Sequence, residues 1–266
     1  MFLAAAVQMT STADKARNLA RAEELVGEAA ARGAKLVGLP ENFSFMGPDA
    51  EKPAAAEPLT GPTLARMSEL AKRHRIVLLA GSVLESRTQD SRYHNTSVLF
   101  GPEGERLAVY RKIHLFDVDI PDGARYRESE QIAPGAEVVA AQTPFGKLGL
   151  TVCYDLRFPE LYRALGKAGA EVLFVPAAFT HLTGLAHWEV LLRARAIENL
   201  CYLVAPAQTG WHSEKRQTWG HATVIDPWGQ VLATAGTGEG LAIAPIDLEY
   251  LQKVRRELPA LGHRVL

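Results

Sequence analysis

Only two cysteines, Cys153 and Cys201, occur in the 266 residues. They make no repeated spacing, which excludes a disulfide-stapled framework and suits a reducing compartment; a cytoplasmic location is expected. An excess of one charge sign is also missing. Lys and Arg total 29 against 30 Asp and Glu, a balance that offers no field for nucleic acid or a membrane surface. No apolar run approaches the roughly 20 residues of a membrane span. The opening stretch Met1–Val7 is broken by Gln8 and is too short for a secretion signal. In that setting the sequons Asn42-Phe43-Ser44 and Asn95-Thr96-Ser97 read as chance matches. The eight histidines make no His-Glu-x-x-His pattern and the cysteines no Cys-x-x-Cys, so no metal or other cofactor is expected. A Gly-x-Ser-x-Gly elbow is absent, which argues against a serine hydrolase. Gly236-Thr237-Gly238-Glu239-Gly240 lacks the spacing of a dinucleotide loop.

What is present is a strand–helix alternation in a chain that is 47% hydrophobic. Buried strands are expected at Leu3–Met9, Lys35–Pro40, Ile76–Val83, Glu171–Val175 and Cys201–Ala207, and half-buried ones at Thr96–Phe100 and Leu107–Arg111. Helices are expected over Lys15–Ala31, Thr63–His74 and Ala186–Asn199, and a hairpin about Pro227-Trp228-Gly229. Residues 113–137 show no period and read as a long functional loop. No low-complexity linker divides the chain, so residues 1–266 read as one domain. Gly33-Ala34-Lys35-Leu36-Val37-Gly38-Leu39-Pro40-Glu41 aligns without gaps onto Gly169-Ala170-Glu171-Val172-Leu173-Phe174-Val175-Pro176-Ala177. Two related halves would pack sheet against sheet with helices outside. The echo replaces Glu41 by Ala177, so the scaffold does not require a carboxylate there.

The chemistry is sought first at Leu150-Thr151-Val152-Cys153-Tyr154-Asp155-Leu156-Arg157-Phe158-Pro159. An apolar strand ends on Cys153 and a helix restarts at Pro159. A thiol on such an elbow, near the positive end of a helix dipole, favours thiolate and reads as a nucleophile. Cysteine is more often a small buried apolar residue, and Cys201, inside Leu200-Cys201-Tyr202-Leu203-Val204, is assigned that role. Glu41 lies just beyond the carboxyl end of a strand, where open α/β sheets hold ligands. Partial burial there raises a carboxylate's pKa toward neutrality and suits a proton shuttle. Lys112 supplies a positive charge for a developing oxyanion, although taken alone it reads equally as a solvated partner of Arg111. His187 and His221 read as packing or polar-network residues.

Together, Leu39-Pro40-Glu41-Asn42, Tyr110-Arg111-Lys112-Ile113-His114 and Cys153-Tyr154-Asp155-Leu156-Arg157-Phe158-Pro159-Glu160 resemble the nitrilase superfamily of carbon–nitrogen hydrolases, in the family's order and over nearly the whole chain. The resemblance implies a four-layer αββα sandwich and a Glu41–Lys112–Cys153 triad. It also implies a second site glutamate at Glu128, a homodimer or higher homo-oligomer, and no cofactor. Tyr-Asp after the cysteine resembles the amidase branch, whose small-molecule substrates include deaminated glutathione and 2-oxoglutaramate. The segments Ala186–Glu198 and Ala207–Arg216 favour the former, with departures at Leu185 and Thr209-Gly210-Trp211. Tyr154 and Arg157, with Phe179 and Thr183 on the loop after Val175, are the candidate substrate-binding residues, Arg157 for a carboxylate. A peroxide-reactive thiol protein is the reading from a different class; no resolving cysteine lies near Cys153 in the chain.

Overall fold

The computed structural model describes residues 1–87, 91–119 and 125–265. In chain order, β1 (Phe2–Met9) leads to α1 (Lys15–Ala31), β2 (Ala34–Gly38), a single helical turn α2 (Lys52–Ala55), α3 (Pro62–His74), β3 (Val77–Glu85), β4 (His94–Phe100) and β5 (Arg106–Arg111). A small ribbon of β6 (Asp117–Asp119) and β7 (Arg125–Arg127) follows, then β8 (Ala140–Thr143), β9 (Gly146–Leu150), α4 (Pro159–Lys167), β10 (Val172–Phe174), α5 (His181–Asn199) and β11 (Tyr202–Ala205). The last elements are β12 (Ala207–Ser213), β13 (Arg216–Trp219), β14 (Thr223–Ile225), β15 (Val231–Thr234), β16 (Gly240–Ile246) and α6 (Leu248–Glu257).

Local chemistry sets the helix ends. The Asp14 side chain accepts from the Arg17 N–H at the start of α1, and Asp247 accepts from Glu249 and Tyr250 at the start of α6. Pro62 and Pro159 occupy first-turn positions, where a missing N–H costs nothing. On α1 the residues Leu19, Ala22, Leu25, Val26 and Ala29 form one buried stripe.

Among the described residues the strands make two large sheets. Sheet one runs β13-β12-β1-β2-β3-β4-β5 with β16 also paired to β1, and sheet two runs β15-β14-β11-β10-β9-β8. Period-two alternation assigns the faces. Ala5, Val7, Leu78 and Ala80 pack with α1 and α3. Ala4, Ala6, Val77 and Leu79 share a core with sheet two, α4 and α5. Sheet one is therefore covered by helices on one face and by sheet two on the other, and α4 and α5 close the far side. This is the expected αββα sandwich.

The echo survives in the backbone. Gly33 and Gly169 both hold positive φ, 91° and 86°, a conformation open to glycine, and β2 and β10 are both flanked by parallel neighbours. The sheets approach closely at this pair: a Cβ on Gly38 would sit 2.7 Å from both Phe174 and Pro206.

Two expectations are corrected. Residues 113–137 are not one loop: residues 113–119 and 125–137 carry β6, β7 and a 3-10 turn at Glu128–Glu130, with residues 120–124 outside the described residues. Strands this short are below the reach of a period-two signal. Helix α5 begins at His181, not Ala186, because Thr180 caps it. Strands β8, β12, β13 and β16 and helix α6 were not anticipated. Among the described residues no helix is long and apolar enough to cross a membrane.

Candidate active site

All eight residues singled out in the sequence line one cavity of about 200 Å³. Glu41 leaves β2 one residue past Pro40. Its Oε1 accepts from Lys112 Nζ at 3.1 Å and Asn95 Nδ2 at 2.9 Å. Its Oε2 accepts from the Ala178 N–H at 2.9 Å, across the sandwich beside the echoed strand. Lys112 follows β5. Its Nζ also donates to both oxygens of Glu128, at 3.0 and 2.8 Å, and Glu128 is fixed in turn by the Phe116 N–H at 2.7 Å. One ammonium thus sits between two carboxylates.

Cys153 follows β9 with φ of +50°, a strained conformation for a residue bearing a Cβ. Its N–H donates to the Pro176 carbonyl at 2.9 Å, and Cys153 lines the same cavity as Glu41 and Lys112. The helix dipole expected beside it is displaced. A 3-10 turn, Cys153–Arg157, intervenes before α4 begins at Pro159.

The proton distribution also differs from expectation. Burial pushes the Cys153 thiol well up and the Glu41 carboxylate adds to that, outweighing Lys112. Burial pushes Glu41 up as well, but the Lys112 charge and hydrogen bonds from Cys153, Lys112 and Asn95 outweigh it and hold the carboxylate below its ordinary range. Burial opposes charge on Lys112, yet Glu128 and Glu41 raise it well above an ordinary lysine. The resting site is carboxylate, ammonium and thiol, not a thiolate beside a raised acid.

Two site residues escaped the sequence reading. Asn95, seen there only as a chance sequon, bridges Glu41 and Glu128; its buried Oδ1 has no partner among the described residues. Asp155, wholly buried, accepts from Tyr110 Oη at 2.6 Å, the Val152 N–H at 2.9 Å, and the His114 N–H and Nδ1 at 3.0 and 2.7 Å. It ties the lysine segment to the cysteine elbow. Asp155 was visible only as a polar residue inside the cysteine motif, and Asn95 only as a polar residue of a strand.

The remaining wall is aromatic and cationic. The Arg157 guanidinium lies over the rings of Phe179 and Tyr154 at 5.3 and 5.8 Å and donates to His187 Nδ1 at 3.3 Å. Thr183 lies in the first turn of α5, not on the preceding loop, its hydroxyl paired with Thr180 at 2.8 Å. His221 stacks on Trp219 and its carbonyl accepts from Trp188 Nε1, the polar-network role expected of it.

A family profile described as carbon–nitrogen hydrolase matches residues 3–256. The chain belongs to the carbon–nitrogen hydrolase family. It is 51% identical over 267 aligned residues to a deaminated glutathione amidase of Synechocystis, covering 99% of this chain and 98% of that protein. It is 41% identical to an omega-amidase, NIT2, of Xenopus tropicalis, covering 95% of this chain and 91% of that protein. The crystal structure of the C. elegans NitFhit protein superposes with a TM-score of 0.92 at 41% identity, covering 99% of this chain and 65% of that one. This hydrolase is an amidase of the nitrilase superfamily.

Proposed function

We propose that this amidase hydrolyses a small carboxylate-bearing amide, deaminated glutathione, to 2-oxoglutarate and cysteinylglycine through a thioester on Cys153. The observation that carries the mechanism is the buried Glu41 carboxylate, which accepts from Lys112 and lines one cavity with Cys153. Glu41 takes the thiol proton as sulfur attacks the amide carbonyl. Lys112 and the N–H after Cys153 hold the oxyanion. The C–N bond breaks, the departing amine takes the proton from Glu41, and the acyl group stays on sulfur. Glu41 then removes a proton from water, with Glu128 orienting the water. Hydroxide attacks the thioester, the C–S bond breaks, and the sulfur recovers the proton. Arg157 binds the carboxylate of the acyl group, with Tyr154, Phe179 and Thr183 around it.

The identity to a deaminated glutathione amidase supports this substrate. An omega-amidase activity on 2-oxoglutaramate is the second reading, supported by the 41% identical relative. Residues 1–266 act as one catalytic domain. The apolar side chains exposed along α5, Leu182, Leu185, Val190 and Ile197, support a homodimer, and two unpaired cysteines support a cytoplasmic setting. Side-by-side kcat/KM for deaminated glutathione, 2-oxoglutaramate, a simple nitrile and an N-carbamoyl amino acid tests the reading. Preference for either of the last two would sink it.

A further inference from the structure

Six cationic side chains line the cavity, and most have an acidic partner. Lys112 has Glu41 and Glu128, Lys52 has Asp49 at 2.7 Å, and Arg125 and Arg127 share Asp119. Arg157 and Arg216 are the exceptions: among the described residues neither meets a carboxylate. Arg157 has the His187 nitrogen and two ring faces. The Arg216 side chain has no hydrogen bond or ion pair among the described residues, although it lines the same cavity and is partly buried. A cationic side chain left unanswered in a concave site is ready for an anionic group of the ligand.

The two guanidiniums reach the cavity from different sheets. Arg157 is four residues beyond Cys153 on the 3-10 turn after β9 of sheet two. Arg216 begins β13 at the edge of sheet one, two residues from Thr218, which bridges to Thr180 of the α5 cap. The acyl half of the substrate ends on the Cys153 sulfur, so its carboxylate falls to the arginine on the same turn. The amine half departs, and the second wall is left for it.

We propose that Arg216 is the anchor for a carboxylate on the amine side of the scissile bond, so that the preferred substrate is an amide carrying one anionic group on each side. The proposal rests on the amidase reading above and deepens it. A peptide-like amine ending in a free carboxylate uses both arginines. A primary amide, which releases ammonia, uses only Arg157. Arg216 therefore separates deaminated glutathione from 2-oxoglutaramate.

The test is a cycle between protein and substrate. Wild-type enzyme, Arg216→Gln, Arg216→Lys and Arg157→Gln are assayed on deaminated glutathione and on its analogue with the terminal carboxylate converted to a carboxamide. In the wild type the carboxamide lowers kcat/KM about 10- to 100-fold, the size of a charge-assisted hydrogen bond, chiefly through KM. Arg216→Gln lowers kcat/KM for the acid by a similar factor and abolishes the acid–carboxamide difference, and Arg216→Lys restores part of it. Arg157→Gln lowers both substrates alike. An Arg216→Gln enzyme that still prefers the acid by the wild-type factor overturns the assignment and leaves the amidase reading standing. A wild type that turns over 2-oxoglutaramate but not deaminated glutathione overturns the proposed substrate, and the anchor with it.

Discussion

Tyr110 donates its hydroxyl hydrogen to Asp155 at 2.6 Å, joining the end of β5 to the turn that carries Cys153. Both groups are buried, and the Tyr110 phenol is pushed well above its usual range, by burial first and then by the Asp155 charge. Asp155 is thus a shared acceptor on which the lysine and cysteine segments are registered. Asp155→Asn turns an NH2 group toward donors and is expected to lower stability by about 2–4 kcal/mol and kcat by at least tenfold. Tyr110→Phe is expected to cost about 1.5–3 kcal/mol, the range for a hydrogen bond to a charged group. Urea unfolding beside steady-state kinetics measures both; a fully active, fully stable Asp155→Asn protein would contradict the registry role.

Short motifs made Glu41, Lys112 and Cys153 legible in the sequence, because each follows a strand with its neighbours in a fixed order. The buried strands and α1 were legible from periodicity. Charge states were not. Lys112 is 71 residues from Glu41 and 41 from Cys153, and only folding brings its charge close enough to reverse the effect of burial on the carboxylate. Asn95 was hidden for the same reason: inside β4 it reads as one polar residue of an alternating strand. Thr183 was misplaced because Gly184 and the flanking threonines resemble a loop, whereas Thr180 caps a helix there.

Cys153→Ala is expected to abolish amide hydrolysis with no loss of folded protein. Mass spectrometry of wild-type enzyme quenched during turnover should find the acyl adduct on Cys153. Cys201, pushed up to about 11 chiefly by burial, should stay unmodified. An adduct on Cys201 would reverse the assignment.

Glu41→Gln removes one of the causes that raise the Cys153 thiol while leaving burial and Lys112 in place. The pH profile of thiol alkylation should therefore move to lower pH, as hydrolysis falls by about 10²- to 10⁴-fold. A shift in the opposite direction would mean that Glu41 does not face the thiol as a carboxylate.

Alkaline pH should weaken the fold. Both thiols are raised in the folded protein, so above about pH 8.5 the unfolded chain loses protons that the folded one keeps, and stability falls as pH rises. Lys112, raised when folded, acts in the same direction above about pH 10.4. Each thiol contributes up to about 1.4 kcal/mol per pH unit. Thermal unfolding between pH 8 and 10 should show this slope, and Cys153→Ala should remove about half of the thiol contribution.

Gly38→Ala places a methyl group against Phe174 and Pro206. The expected loss is about 1–3 kcal/mol from overpacking. Adding Phe174→Leu should recover part of it if the clash is the cause, and unfolding of the single and double variants measures the coupling.

The bond from the Ala178 N–H to Glu41 crosses from one half of the chain to the other. Glu41 and Lys112 are synthesised before Cys153, and follow strands of a different sheet. A nascent or partly folded chain therefore holds the carboxylate and the ammonium without the thiol, and the cavity has all three only once the halves dock. On the proposed mechanism turnover begins only at that point, so each active molecule has already passed a test of its own assembly.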